Sequence, residues 1–99
     1  MASNAAAESS ESALETLRRD SIDLVITDVG PAAGAALELL RDVRDGHPGV
    51  MTIALVDHAD AGLVNEAEGI GVHRILPKPF SITRLRQMVD VLLSATESR

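Results

Sequence analysis

Three short runs of aliphatic residues constrain what this chain can fold into. Leu24-Val25-Ile26 sits inside Ile22 to Val29, a second run spans Val50 to Val56, and a third spans Val72 to Leu76. The first is rich in β-branched residues, and all three are shorter than a stable helix. The first suits a strand buried on both faces, the second is a further buried-strand candidate, and the third is predicted to be a short strand.

Stretches with helical spacing surround these runs. Ser9 or Ser10, or Ser12 with Glu15 three positions on, can cap a helix carrying Ala13, Leu14 and Leu17 and ending near Asp20. Ala33, Ala36, Leu37, Leu40 and Val43 line one face of a second helix, which Gly46 and Pro48 should stop. Asp60 can cap a third through Leu63, Val64 and Ala67, ending at Gly69 or Gly71. Ser81 can cap a fourth whose apolar face is Ile82, Leu85, Met88, Val89 and Leu92. The order is one helix, then strand and helix three times. Buried strands alternating with amphipathic helices imply a parallel sheet with right-handed crossovers. Functional groups in such sheets gather beyond the carboxyl ends of the strands. Asp28, Asp57 and Lys78 fall there, and Pro77 after Leu76 should end the third ladder.

Composition narrows the classes of function. The 99 residues suit one small domain, and a hydrophobic share of 45% supports a packed core. That core must be aliphatic, because Phe80 is the only aromatic residue. A net charge of −6 with scattered Lys and Arg disfavours a nucleic-acid backbone as partner. The absence of cysteine removes disulfides and thiolate metal sites. No apolar run approaches the ~20 residues that cross a bilayer, and the small, polar, acidic start has no signal-peptide pattern. A cytoplasmic location and no membrane partner are expected. The expected organisation is a flexible tail over 1–8, one domain over 9–95 and a second flexible tail over 96–99.

The residues at the strand ends carry a more specific likeness. Asp-Leu-Val-Ile-Thr-Asp-Val over 23–29 resembles the phosphoacceptor strand of bacterial response-regulator receiver domains. Gly-Val-His-Arg-Ile-Leu-Pro-Lys-Pro-Phe over 71–80 resembles their last strand and the Lys-Pro turn after it, and Leu37 to Arg44 matches the helix between. The resemblance covers roughly residues 9–95. It implies an α/β, flavodoxin-like (receiver-type) parallel sheet flanked by helices, here lacking the family's first strand and first helix. It also implies two-component signal transduction, with a histidine kinase or a signalling output domain as protein partner, and a cis peptide at Lys78-Pro79.

In that family an aspartate takes a phosphoryl group beside a Mg²⁺ held by two further carboxylates. A lysine pairs with the phosphoryl oxygens, a Ser or Thr hydroxyl contacts them, and an aromatic residue reads out the change. Asp28 stands at the phosphoacceptor position and Lys78 at the lysine position. The switch positions hold Val56, which has no hydroxyl, and Ile75, which is not aromatic. The acidic pair is missing, so a metal could be held only by Asp28 and Asp57. The expectation is a degenerate receiver that is not an enzyme, needs no cofactor and acts by binding proteins without phosphorylation. The alternative is a phosphoacceptor domain regulated at Asp28, with Mg²⁺ as its ion. A haloacid-dehalogenase-like hydrolase would need an aspartate where Gly30 stands.

His58 between Asp57 and Asp60 makes an acidic-histidine cluster, better explained by Asp60 capping a helix than by a metal. Thr27 reads as a strand residue, and His47 and His73 as ordinary histidines. In the family's sheet the missing strand would pair with Ile22 to Val29. Its absence leaves an apolar edge, from which a two-fold homodimer is expected. Leu24, Val25, Ile26, Leu85, Met88 and Leu92 should lie at its interface. Residues 2–8 folding back over the edge is the alternative.

Overall fold

The structure, a computed structural model, describes residues 10–19, 22–30 and 33–97. The expected 1–8 tail, the Ser9 cap and the 2–8 edge strand lie outside those residues. In chain order the elements are α1 (Ser10–Arg19), β1 (Leu24–Val29), α2 (Ala33–Gly46), β2 (Met51–Asp57), α3 (Ala61–Ile70), β3 (Arg74–Lys78) and α4 (Ile82–Glu97). The strands form one parallel sheet in the order β1-β2-β3.

Local chemistry fixes several boundaries. The Asp60 side chain accepts the Leu63 N–H at 3.1 Å and starts α3. Gly71 closes α3 in the left-handed region (φ 90°), its N–H bonded to the Glu68 carbonyl. A residue with a Cβ would be strained there. Ser81 Oγ accepts the Arg84 N–H at 3.1 Å and starts α4. α2 runs through Gly46, two residues beyond Arg44, and His47 N–H caps it on the Val43 carbonyl at 2.8 Å.

The pleat sends alternate side chains to opposite faces. On one face Val29, Ala54 and Val56 pack with Leu37, Leu40 and Ala67 of α2 and α3. Leu17 of α1 joins that side through Leu39, Val43 and Val50, with Val25 against them. On the other face Met51, Ile53 and Leu76 pack with Leu92 of α4. β2 is thus covered on both faces and carries the core.

Three expectations change. The 24–26 run is not buried on both faces: Leu24 and Val25 are half-buried and Ile26 is 43% exposed. β1 is an outer strand of the described sheet, and a local apolar run does not encode that position. Leu92, expected at an interface, is 5% exposed and packs against the sheet within the chain. Leu85 and Met88 are half-buried on the same cluster, and the apolar residues of α4 that face outward are Ile82 (66%) and Val91 (59%). β3 does not stop before Pro77; Pro77 registers against Val56, and Lys78 against Asp57. β3 is the other outer strand, and a proline near its end costs it a single ladder donor.

One buried polar contact binds β2 to β3. Thr52 is fully buried. Its N–H donates to His73 Nδ1 at 3.1 Å, and its carbonyl and Oγ1 accept the His73 N–H at 3.1 and 3.2 Å. A backbone N–H can only donate, so Nδ1 carries the lone pair and the imidazole extends the ladder by one rung.

Candidate functional site

The parallel strands all end at one rim of the sheet. Asp28 lies in β1, Asp57 ends β2 and Lys78 ends β3, as the element order required. β2 separates the two outer strands, so Lys78 reaches across the end of the central strand to Asp28. Its Nζ donates to Asp28 Oδ1 at 2.5 Å. The Asp28 side chain is 64% exposed and that of Lys78 31%. Water therefore screens the pair, whose net worth is below about 1 kcal/mol.

Asp57 faces the same rim but is engaged locally. Its Oδ1 accepts the Ala59 N–H at 2.9 Å, an Asx turn that redirects the chain toward the Asp60 cap. His58 closes the turn from the other side. Its backbone N–H donates to the Lys78 carbonyl at 3.3 Å, and its Nδ1 lies 2.9 Å from the same oxygen. A carbonyl only accepts, so Nδ1 carries the hydrogen and the Nε2 of a neutral ring carries the lone pair. Lys78 is thus held twice, by His58 at its carbonyl and by Asp28 at its ammonium. The next peptide, Lys78-Pro79, is cis, as the likeness of the turn implied.

An open cleft of about 450 Å³ lies at this rim, lined by Val29, Gly30, Asp57, Ala59, Asp60, Leu63 and Lys78. The two switch positions are not part of its lining. Val56 is fully buried among Val29, Ala54 and Ala67, and Ile75 is half-buried against the same cluster. Neither can donate a hydrogen bond through its side chain.

A Mg²⁺ ion does not fit the residues described. A hard divalent cation needs several oxygen ligands in a tight octahedron. Among the described residues no three acidic or histidine side chains converge on one point. Asp28 already holds an ammonium, and Asp57 already accepts a backbone N–H.

Sequence reasoning brought Asp28, Asp57 and Lys78 to one rim, and the structure joins Asp28 directly to Lys78. It missed His58 as a brace on Lys78 and His73 as a partner of Thr52. Both contacts cross 20 or more positions and leave no local pattern. Thr27 Oγ1, beside Asp28, is buried without a hydrogen-bond partner, which fits a strand residue rather than a reacting hydroxyl.

Known proteins resemble this chain in sequence and fold. The family model of the response regulator receiver domain matches residues 1–90. The transcriptional regulatory protein GlrR of Escherichia coli is 31% identical over 97 residues, covering 94% of this chain and 22% of that protein. The response regulator protein PmrA of Pseudomonas aeruginosa is 32% identical over 91 residues, 90% of this chain and 39% of its own length. The DNA-binding transcriptional regulator NtrC of Klebsiella pneumoniae is 29% identical over 87 residues. The match covers 88% of this chain but only 19% of NtrC, so the chain spans about a fifth of that relative's length. Among solved structures, a response regulator from Thermotoga maritima superposes with a TM-score of 0.76 at 30% identity, covering 89% of this chain and 73% of that one. The sheet order, the Asp28–Lys78 pair across its rim and these matches together place the chain in the response-regulator receiver family.

Proposed function

We propose that this chain is a degenerate receiver, an interaction module of two-component signalling that binds proteins and does not carry a phosphoryl group on Asp28. The observation that supports this reading is the combination at the rim. Asp28 faces a single cation, Lys78, and the position below it that would offer a hydroxyl is the buried Val56. A phosphoryl group on Asp28 would bring further negative charge toward Asp57 and Asp60 with one ammonium to offset it. On this reading the chain binds rather than catalyses, and its partners are proteins, a histidine kinase or an output domain. The net charge of −6 argues against nucleic acid, so the DNA binding named for NtrC is not carried over. No helix among the described residues is long and apolar enough to cross a membrane, and the proposed location is the cytoplasm. Association as a homodimer belongs to the same reading.

One observation favours the second reading, a phosphoacceptor regulated at Asp28. The carboxylate is well exposed and stands next to the lysine that would pair with a phosphoryl group. A small acyl phosphate with Mg²⁺, followed by intact mass, separates the two. The expected result is no added phosphoryl group. A gain of one group that disappears in Asp28→Asn would overturn the proposal.

A further inference from the structure

The start of β3 is joined to β2 by a ring where a peptide group would be expected. In a parallel pair, a residue gives its C=O and its N–H to two residues of the same neighbour. The Thr52 carbonyl accepts the His73 N–H, so a continued ladder would offer the Thr52 N–H the carbonyl of Gly71. Gly71 instead closes α3 in the left-handed region. His73 Nδ1 takes that place, 3.1 Å from the Thr52 nitrogen. Thr52 is fully buried, so water does not substitute while the pair is closed. Nδ1 can accept only while it carries no hydrogen. The same ring nitrogen lies 3.1 Å from Thr52 Oγ1. A protonated Nδ1 could turn its hydrogen to that hydroxyl. The backbone N–H cannot turn away, and it would be left buried against a second donor.

We infer that His73 is a proton-sensitive latch: acidification opens the Thr52–His73 pair and loosens the start of β3, the strand that carries Lys78. This goes beyond the proposed function and does not depend on it. In the unfolded chain the imidazole takes a proton near its ordinary value of about 6.5. In the folded chain that proton must displace the Thr52 N–H. The unfolded state therefore binds more protons in mild acid. The stability contributed by the pair is present above that value and is lost as the pH falls below it. The charges around the pair act in the same direction. Arg74 Nη1 donates to the His73 carbonyl at 2.9 Å, and Arg44 Nε lies 3.6 Å from where a Cβ on Gly71 would stand. Asp23 stands at the start of β1, and β2 separates it from His73. The acids among the described side chains of α2, α3 and α4 are Glu38, Asp42, Asp45, Glu66, Glu68 and Asp90, and all are exposed. The charges that these contacts bring closest are thus positive, and they disfavour a further cation on the ring.

Three measurements on the full chain test the latch. Nitrogen NMR of the ring at neutral pH should show Nδ1 without a hydrogen. Between about pH 7.5 and about pH 5.5 the unfolding constant in urea should rise on the order of tenfold, the limit for an imidazole that stays unprotonated when folded. Over the same range the Thr52 amide should lose exchange protection before that of Ala54, once the intrinsic rates are divided out. His73→Asn places an amide oxygen, which does not titrate, where Nδ1 stood. It should keep the fold and flatten the acid slope, whereas His47→Gln and His58→Gln should leave the slope in place. A hydrogen on Nδ1 at neutral pH would overturn the proposal, and that reading stands even if the Asn variant does not fold. So would an acid slope that survives His73→Asn, one that vanishes in His47→Gln or His58→Gln, or Thr52 protection that does not change with pH.

Discussion

β1 and β2 carry similar aliphatic sequences, yet they do different work. β2, Met51–Asp57, is paired on both sides and covered on both faces, with Ile53, Ala54 and Val56 fully buried. β1 is paired on one side among the described residues and leaves Ile26 exposed. What separates the strands is position in the sheet rather than composition, and position also assigns their roles. The central strand supplies stability. The outer strand supplies Asp28 at the rim and leaves Ile26 exposed.

The largest test of that contrast is a pair of truncations. Ile53→Ala should lose about 2–5 kcal/mol of unfolding free energy, because it removes fully buried methyls and leaves a cavity. Ile26→Ala should lose less than about 1 kcal/mol in dilute solution, where its side chain still meets water. Urea unfolding at low protein concentration measures both. Equal losses would break the comparison and show that β1 is as enclosed as β2.

The next effect concerns the junction of β2 with β3. His73→Ala leaves the buried Thr52 N–H without its acceptor and should cost about 1–3 kcal/mol. His73→Asn places an amide oxygen within reach and should recover part of the loss, which distinguishes a hydrogen-bond role from simple packing. A cap deletion should be smaller. Asp60→Ala removes the acceptor for Leu63 N–H and should cost about 1 kcal/mol. Thr27→Val should move the other way, raising stability by up to about 1 kcal/mol, because the buried hydroxyl makes no hydrogen bond.

These sites also differ in how far they could be read from sequence. Asp60, Ser81 and Gly71 announce themselves because capping and left-handed turns act within a few residues. Asp28 and Lys78 are legible by a different route. Strand order places them at the same rim, and the motif around each matches one family. The exposure of Ile26 is not legible in the run itself, because Leu, Val and Ile look the same in a central and an outer strand; only the family resemblance pointed to an edge there. The inward turn of Leu92 was missed for a related reason. Helical spacing gives a stripe, but what that stripe packs against depends on the whole sheet. The contacts of His58, which the sequence offers only as part of an acidic-histidine cluster, and of His73, an ordinary histidine by its surroundings, escape it, since a ring nitrogen bonded to a backbone group 20 or more residues away has no sequence signature.

The smallest expected effect is the most informative about the rim. Asp28 and Lys78 touch across the end of β2, but both reach solvent. In the free chain a double-mutant cycle with Asp28→Asn and Lys78→Met should give a coupling below about 1 kcal/mol. It should shrink further as added salt shortens the Debye length below about 8 Å. The same cycle repeated under conditions that favour association sharpens the contrast between the two outer strands. If β1 acquires a partner strand, Asp28 loses water on the side of the new strand, while Lys78 on β3 keeps its surroundings. The lower local dielectric then strengthens their attraction, and the coupling should rise and lose part of its salt dependence. A coupling that is large and salt-insensitive already in the dilute monomer would show that the rim is dry without a partner. In that case association would not be what removes water from the pair.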